Sequence, residues 1–92
     1  MQTGRLAEDQ IAARLESLAG WSRSGEAIRR RYAFADFAGS MRFVERVARL
    51  AEEADHHPDI LIEYDKVTLT LTSHDAGGLT ARDFSLAERI DG

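Results

Sequence analysis

Three histidines, the chain's full complement, stand in two short segments that also contain aspartate. His56 and His57 lie in Asp55-His56-His57-Pro58, and His74 lies in Thr72-Ser73-His74-Asp75. Histidine has an unperturbed pKa of about 6.5, so it is the side chain best suited to give and take protons near neutrality. This clustering predicts a proton-transfer site.

The residues alone leave three interpretations open. In the first, the histidines are polar residues at the ends of elements, with His56 favourably placed at a helix C-terminus. In the second, they form a three-histidine metal site with an open position for water. In the third, they perform metal-free acid–base catalysis, in which one imidazolium donates a proton while a neutral imidazole accepts another. The metal is the weakest of the three, because adjacent residues rarely ligate one ion and a helical pair four residues apart is absent.

Two nearby carboxylates extend the candidate site. Glu52 lies one helical turn before His56, a spacing suited to a hydrogen bond between them, although such a residue is also typical of a charged helix surface. Asp83 lies three residues after Thr80, which is typical of a capping box, and a carboxylate there could also orient His74.

Composition limits the class of protein. With 92 residues and a formal net charge of -4, we expect a single domain over 1–92, a small core supplemented by self-association, and no nucleic-acid surface. The absence of cysteine excludes disulfides and thiolate nucleophiles and fits a reducing compartment. No stretch approaches the roughly 18 apolar residues that span a bilayer, and no apolar core of a signal peptide is present. We therefore expect a cytoplasmic protein without membrane contact.

The first half of the chain predicts a helix and a hairpin. Apolar residues at spacings of four and three indicate a helix over 5–18, with Thr3 as its N-cap and a core position for Trp21 after it. Strands are predicted over 21–23 and 27–34. Arg30 interrupts the apolar face of the second strand, which predicts that its outer end is exposed or covered by a partner.

The second half of the chain predicts a long helix over 37–55, with Phe37 and Ala48 in its apolar stripe. A hairpin of strands 60–64 and 66–72 and a last helix that begins after Thr80 are predicted to follow. The order α-β-β-α-β-β-α predicts an α+β fold in which three helices pack on one face of a four-stranded antiparallel sheet. The threonines at 68, 70 and 72 are expected on the open face, in water. An unprotected edge strand invites a second subunit.

A longer pattern of spacings runs through these motifs. Three residues separate Glu52 from His56-His57-Pro58. Five residues then separate Pro58 from Tyr64, nine separate Tyr64 from His74, and eight separate His74 from Asp83. Together with Gly20-Trp21 and the segment 72–80, this pattern resembles pterin-4a-carbinolamine dehydratases, from Trp21 to Ile90.

The resemblance implies a reaction. Members of that family remove water from 4a-hydroxytetrahydropterin to give quinonoid dihydropterin, in the recycling of tetrahydrobiopterin after an aromatic amino acid hydroxylase. They need no metal or organic cofactor, have helices on one side of a four-stranded antiparallel sheet, and form homodimers or homotetramers.

The resemblance also implies roles for residues. His56, His57 and His74 match the catalytic histidines, with the first two assisting the leaving hydroxyl and the third the N5 proton. Glu52 and Asp83 match supporting positions. The residues expected to hold the pterin are Asp55, His56, His57, Ser73, His74 and Asp75. Some relatives act instead as dimerisation partners or assembly factors without dehydration, and the intact histidine triad favours the enzyme.

Overall fold

The computed structural model describes residues 4–92, so the N-cap predicted at Thr3 lies outside the described residues. The elements are α1 Glu8–Glu16, β1 Ser22–Ser24, β2 Ala27–Ala33, α2 Phe37–Ala54, β3 Asp59–Glu63, β4 Lys66–Leu71 and α3 Ala81–Asp91, with a 3₁₀ turn at His74–Ala76 before α3. The predicted order α-β-β-α-β-β-α is confirmed. None of the helices within residues 4–92 is long and apolar enough to cross a membrane.

The four strands form one antiparallel sheet in the order β1-β2-β4-β3. In the central strand β4, every second residue is fully buried: Val67, Leu69 and Leu71. They pack in one core with residues from all three helices, among them Ile11 of α1, Val47 of α2 and Phe84 of α3. The period-two pattern of β4 therefore produces the predicted single layer of helices on one face of the sheet.

Arg30 lies on this helix-covered face, where the sequence predicted exposure or cover by a partner. Its guanidinium donates to the Ala19 carbonyl at 2.9 Å and to Asp91 Oδ2 at 3.0 Å, and it lies 4.6 Å from the centre of the Tyr32 ring. Arg30 is therefore half-buried, and its cover is the chain's own last helix. Sequence reasoning missed this contact because Asp91 lies 61 residues away in sequence.

Both long predicted helices need correction. α1 begins at Glu8 instead of residue 5, because the chain around Arg5 pairs with the segment before α3: Arg5 forms a bridge with Thr80, and Leu6 N donates to Leu79 O at 2.8 Å. In α2 the buried stripe is narrower than predicted, since Phe37 is 50% exposed and Ala48 is also exposed.

The threonines on the open face of the sheet are less exposed to solvent than predicted. Thr68 is only 5% exposed, although it points away from the helices. The register places Arg31 of β2 and Leu61 of β3 directly beside it on this face, and these larger side chains exclude water from the threonine. Thr70 and Thr72 are half-buried.

Candidate active site

The end of α2 directs its two histidines to different environments. Asp55 closes the helix in the left-handed conformation (φ 50°, ψ 44°), and the His56 backbone N–H donates to Ala51 O at 3.1 Å. His56 therefore lies just beyond the end of α2, so the predicted spacing of one helical turn after Glu52 does not apply to it. Its side chain is buried, whereas His57 is exposed.

A small loop after β4 presents His74. Ser73 and Gly78 exchange two backbone hydrogen bonds of 3.3 Å each, which close the segment between them into a loop. His74 begins the 3₁₀ turn of this loop, and Gly77 ends the turn at φ +72°, a conformation that favours glycine. The His74 imidazole is exposed and has no hydrogen-bond partner among residues 4–92.

These two segments share a cavity of about 320 Å³ between the end of α2 and the end of β4. The residues lining it are Asp55, His56, His57, Thr72, His74, Asp75 and Arg82. All three histidines thus line one cavity, although the segments that hold them are separated by the whole β3–β4 hairpin.

Asp83 is the fully buried centre of a hydrogen-bond network behind His56. Its Oδ1 lies 2.6 Å from His56 Nε2. Its Oδ2 accepts from Ser73 Oγ at 2.9 Å and from the Thr80 backbone N–H at 3.0 Å. The capping box of α3 is therefore present, and its carboxylate also serves the candidate site. The predicted alternative, that Asp83 orients His74, is wrong.

Glu52 contacts the other histidine of the pair. Its Oε2 lies 2.5 Å from His57 Nε2, and both side chains are largely exposed. The spacing predicted a contact with His56, as in a continuous helix. The prediction fails because Asp55 breaks the helix, which turns His56 inward towards Asp83 and leaves His57 over the α2 surface.

The rim of the cavity carries an ion pair that sequence reasoning missed. Arg82 donates to Asp75 Oδ1 at 2.8 Å. The hydrogen bond from Arg82, together with its positive charge, holds the pKa of Asp75 below its ordinary value. The available signal for Thr72 and Arg82 is their place directly after β4 and in the first turn of α3, beside the histidine segment.

Ser73 occupies a different place from the one expected. It is fully buried and does not line the cavity; its hydroxyl lies behind Asp83. The expectation that it touches a pterin is therefore not supported by its position. Asp55, His57 and Asp75, in contrast, do lie on the cavity wall.

No group of three or more histidine, aspartate or glutamate side chains within the described part of the chain is arranged to hold a metal ion. The histidines instead pair separately, His56 with Asp83 and His57 with Glu52. Such pairs can hold and move protons, since each histidine has one nitrogen engaged by a carboxylate and a second nitrogen left for another partner.

Comparison with known proteins places the chain in a family. Residues 4–92 match the family model described as pterin 4 alpha carbinolamine dehydratase. A protein of Thermomicrobium roseum that carries the provisional name pterin-4-alpha-carbinolamine dehydratase is 52% identical over 86 residues, which cover 94% of this chain and 92% of that protein. A protein of a Roseiflexus species with the same provisional name is 53% identical over 87 residues, or 95% and 94% of the two chains.

Solved structures agree in fold. A crystal structure described as a transcriptional coactivator/pterin dehydratase from Brucella melitensis has a TM-score of 0.91 and 35% identity, with 95% of each chain covered. A pterin dehydratase-like protein identified as a RuBisCO assembly factor in the alpha-carboxysome has a TM-score of 0.66 and 28% identity, covering 78% of this chain and 86% of that one. The family model and these relatives together show that the chain belongs to the pterin 4 alpha carbinolamine dehydratase family.

Proposed function

We propose that the protein is a hydro-lyase that dehydrates 4a-hydroxytetrahydropterin to quinonoid dihydropterin by histidine acid–base catalysis. One observation carries the proposal: three histidines with three different surroundings border a single cavity. His56 is buried against Asp83, His57 is exposed against Glu52, and His74 has no partner within residues 4–92. Different surroundings favour a division of labour between acid and base.

The reaction needs two proton movements. The bond from C4a to the hydroxyl oxygen breaks as that oxygen gains a proton and leaves as water, and N5 loses its proton as the new double bond to C4a forms. In our proposal the side of the cavity formed by His56 and His57 assists the hydroxyl, and His74 takes the N5 proton. The cavity volume of about 320 Å³ is suited to a small bicyclic ligand. The proposal requires neither metal nor organic cofactor.

The chemistry also suggests a setting. A 4a-hydroxypterin is the product of an aromatic amino acid hydroxylase, so the protein would act after such an enzyme in the recycling of tetrahydrobiopterin, in the cytoplasm and as a homodimer or homotetramer.

An activity measurement tests the proposal. Supplied with 4a-hydroxytetrahydropterin, the wild-type protein should accelerate the ultraviolet absorbance change that accompanies dehydration, also after treatment with a chelator. The His57→Ala variant should be slower by at least about tenfold. Equal rates for the wild type, the variant and a solution without protein would overturn the proposal, and loss of activity on chelation would overturn its metal-free mechanism.

A second function is favoured by one observation, the likeness to the RuBisCO assembly factor. A non-catalytic assembly or dimerisation factor on this fold would bind a protein and leave the pterin reaction at its spontaneous rate. The same assay therefore separates the two functions, because only the enzyme needs the histidine triad and raises the rate of dehydration above the spontaneous rate.

A further inference from the structure

We propose that Ser73 and Thr80 are positioning residues which, through Asp83, fix His56 with its proton on Nε2 and make Nδ1 the atom that exchanges protons in the cavity. The catalytic consequence rests on the proposed function, whereas the position of the proton does not. The position of the proton follows from the donors and acceptors along one chain of hydrogen bonds.

The chain begins at the first turn of α3, where the direction of each bond is determined. The Arg82 backbone N–H can only donate, and it does so to Thr80 Oγ1 at 3.2 Å; the Arg82 Nε–H adds a second donor at 3.3 Å. Thr80 Oγ1 therefore accepts from Arg82, and its own single proton is left for Ser73 Oγ, 2.8 Å away.

Ser73 must then donate to Asp83. Its oxygen accepts from Thr80, so its one proton points to Asp83 Oδ2 at 2.9 Å. The Thr80 backbone N–H donates to the same oxygen at 3.0 Å. With two donors on Oδ2, the carboxylate is held in one orientation, in which Oδ1 faces His56.

The last bond in the chain assigns the histidine proton. An ionised carboxylate only accepts hydrogen bonds, so His56 Nε2, 2.6 Å from Asp83 Oδ1, is the donor. In the neutral imidazole, Nδ1 then carries a lone pair and no proton. Asp83 thus plays towards His56 the orienting part that a buried aspartate plays towards the histidine of a serine-protease triad.

The Nδ1 atom is also accessible. It has no hydrogen-bond partner among residues 4–92. If Nδ1 were also buried, it would be a buried side-chain atom without a partner, but in that range only Ser40 Oγ is such an atom. Nδ1 is therefore not sealed in the core but belongs to the small exposed part of His56, a residue that lines the histidine cavity. An unprotonated Nδ1 there can accept a proton, and a protonated one can return it to a leaving hydroxyl.

Nuclear magnetic resonance of ring-¹⁵N-labelled histidine tests the proton position without any pterin. At a pH where the imidazole is neutral, wild-type His56 should be protonated on Nε2. In Asp83→Asn, Ser73 and Thr80 should hold the amide oxygen on their side and turn the amide N–H₂ towards His56. Because Nε2 must then accept, the proton should move to Nδ1. A wild-type His56 protonated on Nδ1, or an Asp83→Asn variant that keeps the proton on Nε2, would overturn the inference.

Kinetics test the positioning role of the hydroxyls. Ser73→Ala should lower kcat about tenfold with little change in KM, and Ser73→Thr, which keeps the hydroxyl, should restore most of kcat. If Ser73→Ala raises KM and leaves kcat intact, Ser73 contacts substrate and the inference fails. If Asp83→Asn does not fold, the spectrum of wild-type His56 and the comparison of Ser73→Ala with Ser73→Thr still test the inference. Ser85→Ala, an exposed serine of α3 outside the chain of bonds, is the matched control.

The two proposals fail separately. Absence of dehydration in every protein would overturn the proposed function and leave the measured proton position standing. A His56 proton on the wrong nitrogen, in a wild-type protein that dehydrates its substrate, would overturn this inference alone.

Discussion

At the residue scale, the adjacent histidines differ more from each other than their shared sequence context indicates. His56 is 7% exposed and bonded to a fully buried carboxylate, while His57 is exposed and bonded to an exposed one. The cause is a single residue in the left-handed conformation, Asp55, which ends α2 between Glu52 and the histidines and so directs the two imidazoles to different environments. The two carboxylates should therefore differ in what they contribute to stability.

Removing Asp83 should destabilise the fold. In Asp83→Ala the buried Nε2 of His56 and the buried hydroxyl of Ser73 lose their partner, and α3 loses half of its capping box, so we expect a loss of about 2–4 kcal/mol in the free energy of unfolding. Urea denaturation measures it. Glu52→Ala is the matched control, since its carboxylate is 77% exposed and should leave the unfolding midpoint unchanged. Equal losses in both variants would contradict this assignment.

At the element scale, α3 connects the candidate site to side chains of β2 and to Trp21 just before β1. Its first turn supplies Asp83 and Arg82 to the site. Its last residue, Asp91, accepts hydrogen bonds from Trp21 Nε1 at 2.8 Å, Arg30 at 3.0 Å and Tyr32 OH at 2.6 Å. Hydrogen bonds thus anchor both ends of α3, the first turn to His56 and Ser73 and the last residue to Trp21 and β2, and they hold Asp83 in a fixed position.

The anchor at Asp91 predicts sensitivity to alkali. The pKa of Tyr32 is raised, mainly by burial of the phenol and to a smaller extent by its hydrogen bond to Asp91. The folded protein therefore binds this proton more tightly than the unfolded chain. Tyr32's contribution to stability should be complete below pH about 10, where an unfolded tyrosine titrates, and be lost as the pH rises above that value.

Thermal unfolding measured from pH 8 to 11 checks this. Tyr32→Phe should lower stability by about 1 kcal/mol at pH 8 and make its decline above pH 10 shallower. Tyr64→Phe, at a tyrosine that is 66% exposed, is the control and should keep the wild-type profile. A Tyr32→Phe profile as steep as that of the wild type would refute the role assigned to the phenol.

At the scale of the whole molecule, the sequence predicted the fold well and the connections within the site poorly. Periodicity in Val67, Leu69 and Leu71 predicts the central strand, because alternation is a local property of the chain. The Asp83–His56 contact spans 27 residues and depends on how α2 ends, so spacing along an ideal helix gave the wrong partner. The role of Ser73 was missed because burial behind a carboxylate leaves no local pattern.

The edge of the sheet offers a place for the predicted self-association. β3 is an edge strand with two exposed apolar residues, Leu61 at 52% and Ile60 at 37%. Such an edge presents unpaired backbone groups next to apolar surface, which invites strand pairing with a second copy.

Sedimentation equilibrium should therefore give a dimer or tetramer for the wild type, and Leu61→Lys should shift it towards the monomer by placing a charge on the edge. Glu16→Lys, on the exposed end of α1, is the control and should keep the wild-type mass. A wild-type protein that is monomeric at tens of micromolar would contradict the expectation.

The most direct test of the central claim is the rate of 4a-hydroxytetrahydropterin dehydration by His74→Ala compared with the wild type. The His74 imidazole is exposed and makes no hydrogen bond within the described range, so its removal should leave folding intact. If it takes the N5 proton, kcat/KM should fall by about 100-fold or more with an unchanged unfolding midpoint. A folded His74→Ala protein that dehydrates the pterin as fast as the wild type would contradict the account.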